Sequence, residues 1–371
     1  MSRKKCCNPC IMSAGKMICN LNRLFYSWIP CRKKRILLCK DDALGDWIIF
    51  LPYLAAIRDY FPESGYKITV IADKRCHPVI QMSGYADTIW GIVEYKGKIN
   101  YLLKRFYLWI FYYFDIIISA SNFPPDYTFV YGKNCLATLR DIRWPYPYEI
   151  EKFYQKVIYS DKTDIHGRYL QLLRASGVSG EIPVFDFSCW NKTNSLIPHE
   201  KYYVLCAGAS DPKRCWEEEK FVRLLDYLQD CFNLPVVSVG SPDEYEKCER
   251  IRKNCKNPEK IINLCGKTSL QQLFGIIQYA DFMVSNETGP AHISSTLGIK
   301  TFIICGGGDY GSFVPYRRGV EGIWVWSIFR KEQQCFRCGW QNPQCRKNNT
   351  YPCIAEISVD DVAATICENY G

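Results

Sequence analysis

The first 40 residues contain no aspartate or glutamate, yet they hold ten lysines and arginines. The other 331 residues carry 37 basic and 38 acidic groups, so the folded body is close to neutral. It therefore lacks the basic stripe that nucleic-acid binding calls for, and no nucleic-acid partner is expected. Also missing is an uninterrupted apolar run of membrane-spanning length. The most hydrophobic window, 101–120, contains Lys104, Arg105 and Asp115, which argues against a spanning helix. It divides better into an aromatic helix over 101–112 and a buried strand over 115–118. The N-terminus shows neither the apolar core nor the small-residue cleavage site of a secretory signal. The 21 cysteines are scattered through apolar strand-like runs, as at Cys39, Cys206 and Cys305, rather than set in a compact framework. Together these absences point to reduced thiols in a cytosolic protein. No acidic cluster suggests a catalytic metal.

What is present is a chain of 371 residues, 48% hydrophobic and 23% charged, long enough for two globular domains. Residues 1–35 form a basic extension in which Ile18, Leu21, Leu24, Phe25, Trp28 and Ile29 recur at helical spacing. Such a segment suits an anionic bilayer surface, while a disordered arm or a helix packed on the body fits the same pattern. From residue 36 short apolar strands alternate with helices, which predicts a parallel sheet covered on both sides. Strands are expected at 36–39, 67–72, 88–93 and 115–118, with helices at 47–60 and 77–82. Residues 121–165 are rich in proline and aromatics and read as irregular. A helix over 167–176 closes this half. Breaker residues mark 177–199 as a linker. The pattern then repeats over 200–357, with strands at 202–206, 236–239, 261–264, 281–284 and 301–305, and a final helix lies within 358–371. The expected architecture is α/β: two Rossmann-like doubly wound domains facing a central cleft, with ligands at the carboxyl ends of the strands.

The densest chemical signal is Ser285-Asn286-Glu287-Thr288-Gly289-Pro290-Ala291-His292. It joins an apolar strand to a helix, so the backbone N–H groups and dipole of that helix start favour an anion such as a phosphate.

Four stretches together resemble glycosyltransferase family 9, the heptosyltransferase family, over about 36–362. They are Leu44-Gly45-Asp46 with Pro52 downstream; Gly208-Ala209 followed by Lys213-Arg214 and Trp216; Val239 to Glu244; and Leu264 to Leu270 followed by the 286–292 run. The resemblance implies a GT-B fold, a nucleotide diphosphate sugar donor, ADP-heptose in particular, and inverting transfer without a metal. Asp46 is then the base that takes the proton of the acceptor hydroxyl. Read from the residues alone, Asp46 is more readily a helix cap, and Asp41 and Asp42 are nearby alternatives. Lys213 and Arg214 match the cation on the donor diphosphate, whose departure a fixed positive charge assists. Cys215, inserted before Trp216, leaves open which of the two serves. Glu244 matches the acid on the nucleoside ribose. Glu287 stands where the family usually has aspartate, toward the donor sugar. Thr288, Gly289 and Pro290 would form the phosphate cradle, and His292 a phosphate or orienting contact, a buried structural histidine being the alternative. Gly306-Gly307-Gly308-Asp309 departs from the family's loop, and its glycines are expected to let the backbone approach a ligand.

Cys335, Cys338, Cys345 and Cys353 form a cluster that could hold a structural zinc, or remain free thiols or a redox pair. The expected partners are a nucleotide diphosphate sugar, a lipid-linked glycan of lipopolysaccharide type and the anionic inner-membrane surface, the protein being cytoplasmic and peripheral on that membrane. An inactive nucleotide- or glycan-binding scaffold and a nucleotide-sugar epimerase are the competing functions.

Overall fold

A computed structural model describes residues 33–91, 113–121, 135–141, 155–160, 164–183, 201–313, 324–330 and 335–370, with isolated positions between 17 and 29 and at 187 and 190. The chain divides into two compact units, Met1–Phe185 and Asp186–Gly371. The division falls inside the 177–199 segment read as a linker.

The first unit is a six-stranded, wholly parallel sheet. Its strands are β1 (Lys34–Cys39), β2 (Tyr66–Ala72), β3 (Thr88–Gly91), β4 (Ile116–Ser119), β5 (Cys135–Asp141) and β6 (Lys156–Ser160), in the order β3-β2-β1-β4-β5-β6. The apolar runs Ile36-Leu37-Leu38 and Ile117-Ile118 are buried, as strands covered on both faces must be. Helix α1 (Leu44–Tyr60) follows β1, α2 (His77–Ser83) follows β2, and α3 (Ile165–Ala175) closes the unit. α1 is apolar around most of its circumference, and Trp47, Ile48, Phe50, Leu51, Leu54 and Ile57 are fully buried. An all-round apolar helix is a buried one. α3 starts at the Asp164 cap, whose carboxylate accepts the Gly167 N–H at 3.0 Å, and buries Tyr169, Leu172 and Leu173.

One expectation needs correction. Residues 121–165 are not wholly irregular, because β5 and β6 lie within them. Their signal was masked by flanking prolines and aromatics, and β6 is an edge strand with exposed Lys156 and Tyr159, which lacks an apolar run. The aromatic helix expected over 101–112 lies outside the described residues.

The second unit repeats the topology. β7 (Tyr203–Cys206), β8 (Val236–Ser238), β9 (Ile261–Asn263), β10 (Phe282–Asn286), β11 (Lys300–Ile304) and β12 (Val325–Ile328) are parallel in the order β12-β11-β10-β7-β8-β9. β12 was not foreseen: its Trp326 and Ser327 are only partly buried, so it carries no continuous apolar signature. Helices α4 (Glu218–Phe232), α5 (Tyr245–Asn254), α6 (Leu270–Gln278), α7 (Gly289–Thr296), α8 (Pro352–Ala355) and α9 (Val359–Tyr370) complete the unit. α4 shows why the elements form where they do. Phe221, Leu224, Leu225 and Leu228 recur at helical spacing and are buried, each contributing about 2 kcal/mol. The helix ends at Asn233, whose φ of 54° is left-handed, a conformation asparagine tolerates at a helix C-terminus.

Candidate functional site

In both sheets the strand order reverses direction between the first strand and the fourth, at β1/β4 and at β7/β10. At such a switch point the two following loops part and leave a crevice at the carboxyl ends of the strands. Both sets of site residues lie at these points.

In the second unit, Asn286 at the end of β10 ties the two loops together. Its Oδ1 accepts the Trp216 N–H at 3.1 Å, and its Nδ2 donates to the Ala207 carbonyl at 2.8 Å. Glu287 follows, buried, and then α7 begins, with Thr288 extended at its cap and Pro290 in the first turn. Proline there sacrifices an N–H that has no helical partner anyway. His292 sits a turn further on and is buried, its ring centre 6.4 Å from that of Phe313.

The two cations expected at the donor diphosphate part company. Lys213 Nζ donates to the Arg346 carbonyl in the cysteine-rich segment. Arg214 turns into the crevice, with Nη2 3.2 Å from Glu287 and 3.5 Å from Asp309. Burial works against the charge of Arg214, but Glu287 and Asp309 outweigh it and raise the pKa above the usual arginine value. The guanidinium also lies 4.7 Å from the Trp340 ring centre, and Trp340 Nε1 donates to Asp309 at 2.6 Å.

Glu244 lies over the ends of β7 and β8. A Cβ on Gly208 or on Gly240 would collide with its carboxylate, so both glycines are there to admit it. Its Oε2 accepts the Ser241 N–H at 2.6 Å, which makes it a helix-start acid as well as a carboxylate at the switch point. The three glycines after β11 behave otherwise than expected. A Cβ on Gly306 or Gly308 would strike the Trp340 ring, and one on Gly307 the Phe336 ring. The run is flat so that aromatic side chains can lie on it; the ligand-approach reading is corrected accordingly.

In the first unit, Asp46 lies in the opening turn of α1, and its Oδ2 accepts the Ala43 N–H at 3.2 Å. It is half-buried. Just before it, Lys40 is fully buried at the end of β1, with Nζ 2.7 Å from Asp42 Oδ2 and 2.7 Å from the Tyr169 hydroxyl. Burial lowers its pKa, but Asp42, Tyr169 and Asp46 more than reverse this, and the net shift is upward. Asp42 is thereby engaged by Lys40, and the Asp41 N–H donates to Ser121 Oγ at 2.7 Å.

Cys335, Cys338, Cys345 and Cys353 line one small pocket with Phe336, Trp340 and Tyr351. Burial and then the neighbouring cysteines raise the thiol pKa of Cys345 and Cys353. Cys353 Sγ accepts the Gly307 N–H at 3.4 Å. Among the described residues no three His, Cys, Asp or Glu side chains are arranged to hold a metal ion.

Against this geometry, the family model described as glycosyltransferase family 9 (heptosyltransferase) matches residues 182–342, which include Arg214, Glu244, Glu287 and Trp340. Residues 182–342 are thus the part of the chain similar to this family. Among curated relatives, lipopolysaccharide heptosyltransferase 3 of Escherichia coli K12 is 21% identical over 301 residues, 76% of this chain and 85% of that one. Among solved structures, a family 9 glycosyltransferase from Veillonella parvula superposes with a TM-score of 0.66 at 19% identity, covering 91% of this chain and 97% of the other. The E. coli heptosyltransferase WaaC with ADP-2-deoxy-2-fluoro heptose gives 0.60 at 17% identity, over 90% and 99%. These superpositions match the two-domain α/β GT-B fold.

Sequence reasoning missed Asn286 as the tie between the loops, Asp309 and Trp340 as partners of Arg214, and Lys40. Lys40 did leave a signal: it is a charge set directly against the apolar strand Ile36–Cys39.

Proposed function

We propose that this protein is an inverting glycosyltransferase that moves a heptose or a related sugar from ADP-heptose to a glycan acceptor of lipopolysaccharide type. The observation that carries this reading is Arg214, half-buried at the β7/β10 switch point beside the first turn of α7, with Glu244 across the neighbouring strand ends. A cation and a helix N-terminus at one crevice suit a diphosphate, and a carboxylate beside them suits ribose hydroxyls. In the proposed reaction the acceptor oxygen attacks the anomeric carbon and Asp46 takes its proton. The bond from that carbon to the diphosphate oxygen breaks, and the electron pair leaves with the nucleoside diphosphate, whose charge Arg214 meets. Asp46 is one of the groups that hold the charge of the buried Lys40 beside this turn. No metal takes part in these steps.

The test combines nucleotide binding with turnover. ADP should raise the thermal midpoint of the protein more than UDP, GDP or CMP, since a ligand of the folded state must stabilise it. Asp46→Asn should abolish transfer and keep the ADP effect; unaltered transfer removes Asp46 from the mechanism. One observation favours a binding-only scaffold: Arg214 is already matched by two carboxylates. Sustained ADP binding with no transfer to any heptose-accepting glycan would support that alternative.

Two further parts of the reading concern partners. The exposed Met17, Leu21, Leu24, Phe25 and Trp28, set among the basic residues of the first 40, support peripheral attachment to an anionic inner-membrane surface on the cytoplasmic side, where a lipid-linked acceptor would lie. Removing residues 1–35 should release the protein from anionic vesicles. The shared pocket of Cys335, Cys338, Cys345 and Cys353 supports a structural zinc, which would have to draw the thiols into a coordination set. Elemental analysis finding no metal, with all four thiols reactive after unfolding, refutes it.

A further inference from the structure

Besides its carboxylates, Arg214 is held by a residue outside the switch-point loops. Trp340 lies in the cysteine-rich segment that follows β12. Its backbone φ is 62°, and Arg337 and Gly339 beside it are also left-handed, at 70° and 58°. A tryptophan with positive φ is uncommon, and such strain persists where the surroundings over-determine the conformation. Here they do. The Arg337 N–H donates to the Gly307 carbonyl at 2.7 Å and the Gly339 N–H to the Gly308 carbonyl at 2.9 Å, so the segment is laced to the glycine run. The indole fits there only because Gly306 and Gly308 have no Cβ. Tyr351 also packs against it, at 4.9 Å between ring centres. Two groups are left for the indole to hold: the Asp309 carboxylate, bonded at 2.6 Å, and the Arg214 guanidinium, 4.7 Å from the ring centre.

Arg214, Asp309 and Trp340 thus close a triangle in which each member touches the other two. Arginine is long and rotamer-rich, and fixing it before the ligand arrives removes an ordering cost from binding. A guanidinium over an indole face with a carboxylate at its edge has little freedom left.

We propose that Trp340 is a positioning residue for the donor diphosphate: it fixes Arg214 through ring and carboxylate, and makes the cysteine-rich segment part of the donor site. The proposal rests on the reading of Arg214 as the diphosphate cation. Trp340 itself touches no reacting atom. Its effect should therefore appear only with ligands that carry the phosphates.

The experiment compares binding of ADP, UDP and GDP, each beside its own nucleoside, to wild type, Trp340→Phe and Trp340→Ala. Loss of the ring contact and the indole bond should weaken the nucleoside diphosphate about tenfold in Trp340→Ala and less in Trp340→Phe, which keeps a ring. The matching nucleoside should bind all three proteins alike, and in turnover the donor KM should rise more than kcat falls. Diphosphate affinity unchanged in both variants, or nucleoside and diphosphate weakened equally, overturns the proposal while leaving the donor reading intact. If Trp340→Ala does not fold, Trp340→Phe decides alone: a loss confined to the diphosphate supports the proposal and an equal loss overturns it. Wild-type protein that binds no nucleoside diphosphate overturns the donor reading, and the proposal with it.

Discussion

Replacing Lys40 with methionine tests whether the turn that carries Asp46 is organised by a buried charge. Lys40 has no exposed surface, and its ammonium is shared between Asp42 and the Tyr169 hydroxyl, each at 2.7 Å, with the Phe50 and Tyr169 ring centres 5.2 and 4.9 Å away. Methionine keeps the length and the apolar stem and removes the charge. Breaking one side of a buried ion pair costs about 3–5 kcal/mol, because the partner charge is left behind. The Asp42 side chain keeps 19% of its exposure, so water can recover part of that loss. The Tyr169 hydroxyl is fully buried and loses its lysine donor, a further ~1–3 kcal/mol. A net cost of about 3 kcal/mol follows, or roughly 6–12 °C in the midpoint of a unit of this size. Lys40→Met with Asp42→Asn should regain at least about 1 kcal/mol over the single change, since the stranded charge is gone.

The assay should isolate the first unit, because two units need not unfold together. Hydrogen exchange of peptides covering β1 and β2 does so. The sign of any pH dependence is fixed by the raised pKa of Lys40. Stabilisation from such a group is complete below the unfolded lysine pKa and fades only as pH rises through the folded value. The cost of Lys40→Met should therefore be constant from about pH 6 to 9. A cost below about 1 kcal/mol, or no recovery in the double variant, would refute the argument that this pair organises the turn.

Three other outcomes follow from the structure. Gly208→Ala places a Cβ on the Glu244 carboxylate; a flexible side chain can move aside, so the protein should fold normally and bind nucleoside about tenfold more weakly, as isothermal titration would show. Gly308→Ala meets the Trp340 ring instead, which cannot move without releasing Arg214; it should weaken the diphosphate and leave the nucleoside unaffected, and intact diphosphate binding would contradict the triangle. Asp87, despite burial that opposes its charge, is held below the usual carboxylate pKa by the Ile68 N–H and by Arg58, 2.5 Å away. A depressed acid stabilises the fold above its unfolded pKa and loses that contribution as pH falls through the folded one, so the first unit should weaken below about pH 4 and Asp87→Asn should flatten that slope.

The alternation of apolar strands and helices was legible in the sequence because parallel strands buried on both faces need continuous apolar residues, as in Ile36–Cys39 and Phe282–Val284. The turn proposed to bind phosphate was legible for a similar local reason: a strand, a short polar run with glycine and proline, and a helix start are contiguous in Ser285–His292. Strands β5, β6 and β12 were not legible. β6 and β12 are edge strands, which take their stability from neighbours far away in the chain, and β5 ends in Arg140-Asp141, so none of the three declares itself by a continuous apolar run.

The proposed donor site divides the same way. The sequence alone pointed to the segments proposed to supply chemistry: Asp46 after β1, Lys213-Arg214 after β7, Glu244 after β8 and the 286–292 run after β10. Only the tertiary structure decided between the two cations, turning Arg214 into the crevice and Lys213 toward the Arg346 carbonyl. It alone brought Asp309 and Trp340 to Arg214, across separations in the chain of nearly 100 residues and more. The glycine run shows why. Three glycines in sequence say only that something comes close to the backbone, and it takes the fold to show that the close neighbours are the Phe336 and Trp340 rings. Hydrophobic period and turn chemistry are local and can be read along the chain; the partner of a buried charge is a matter of packing, which no local pattern encodes.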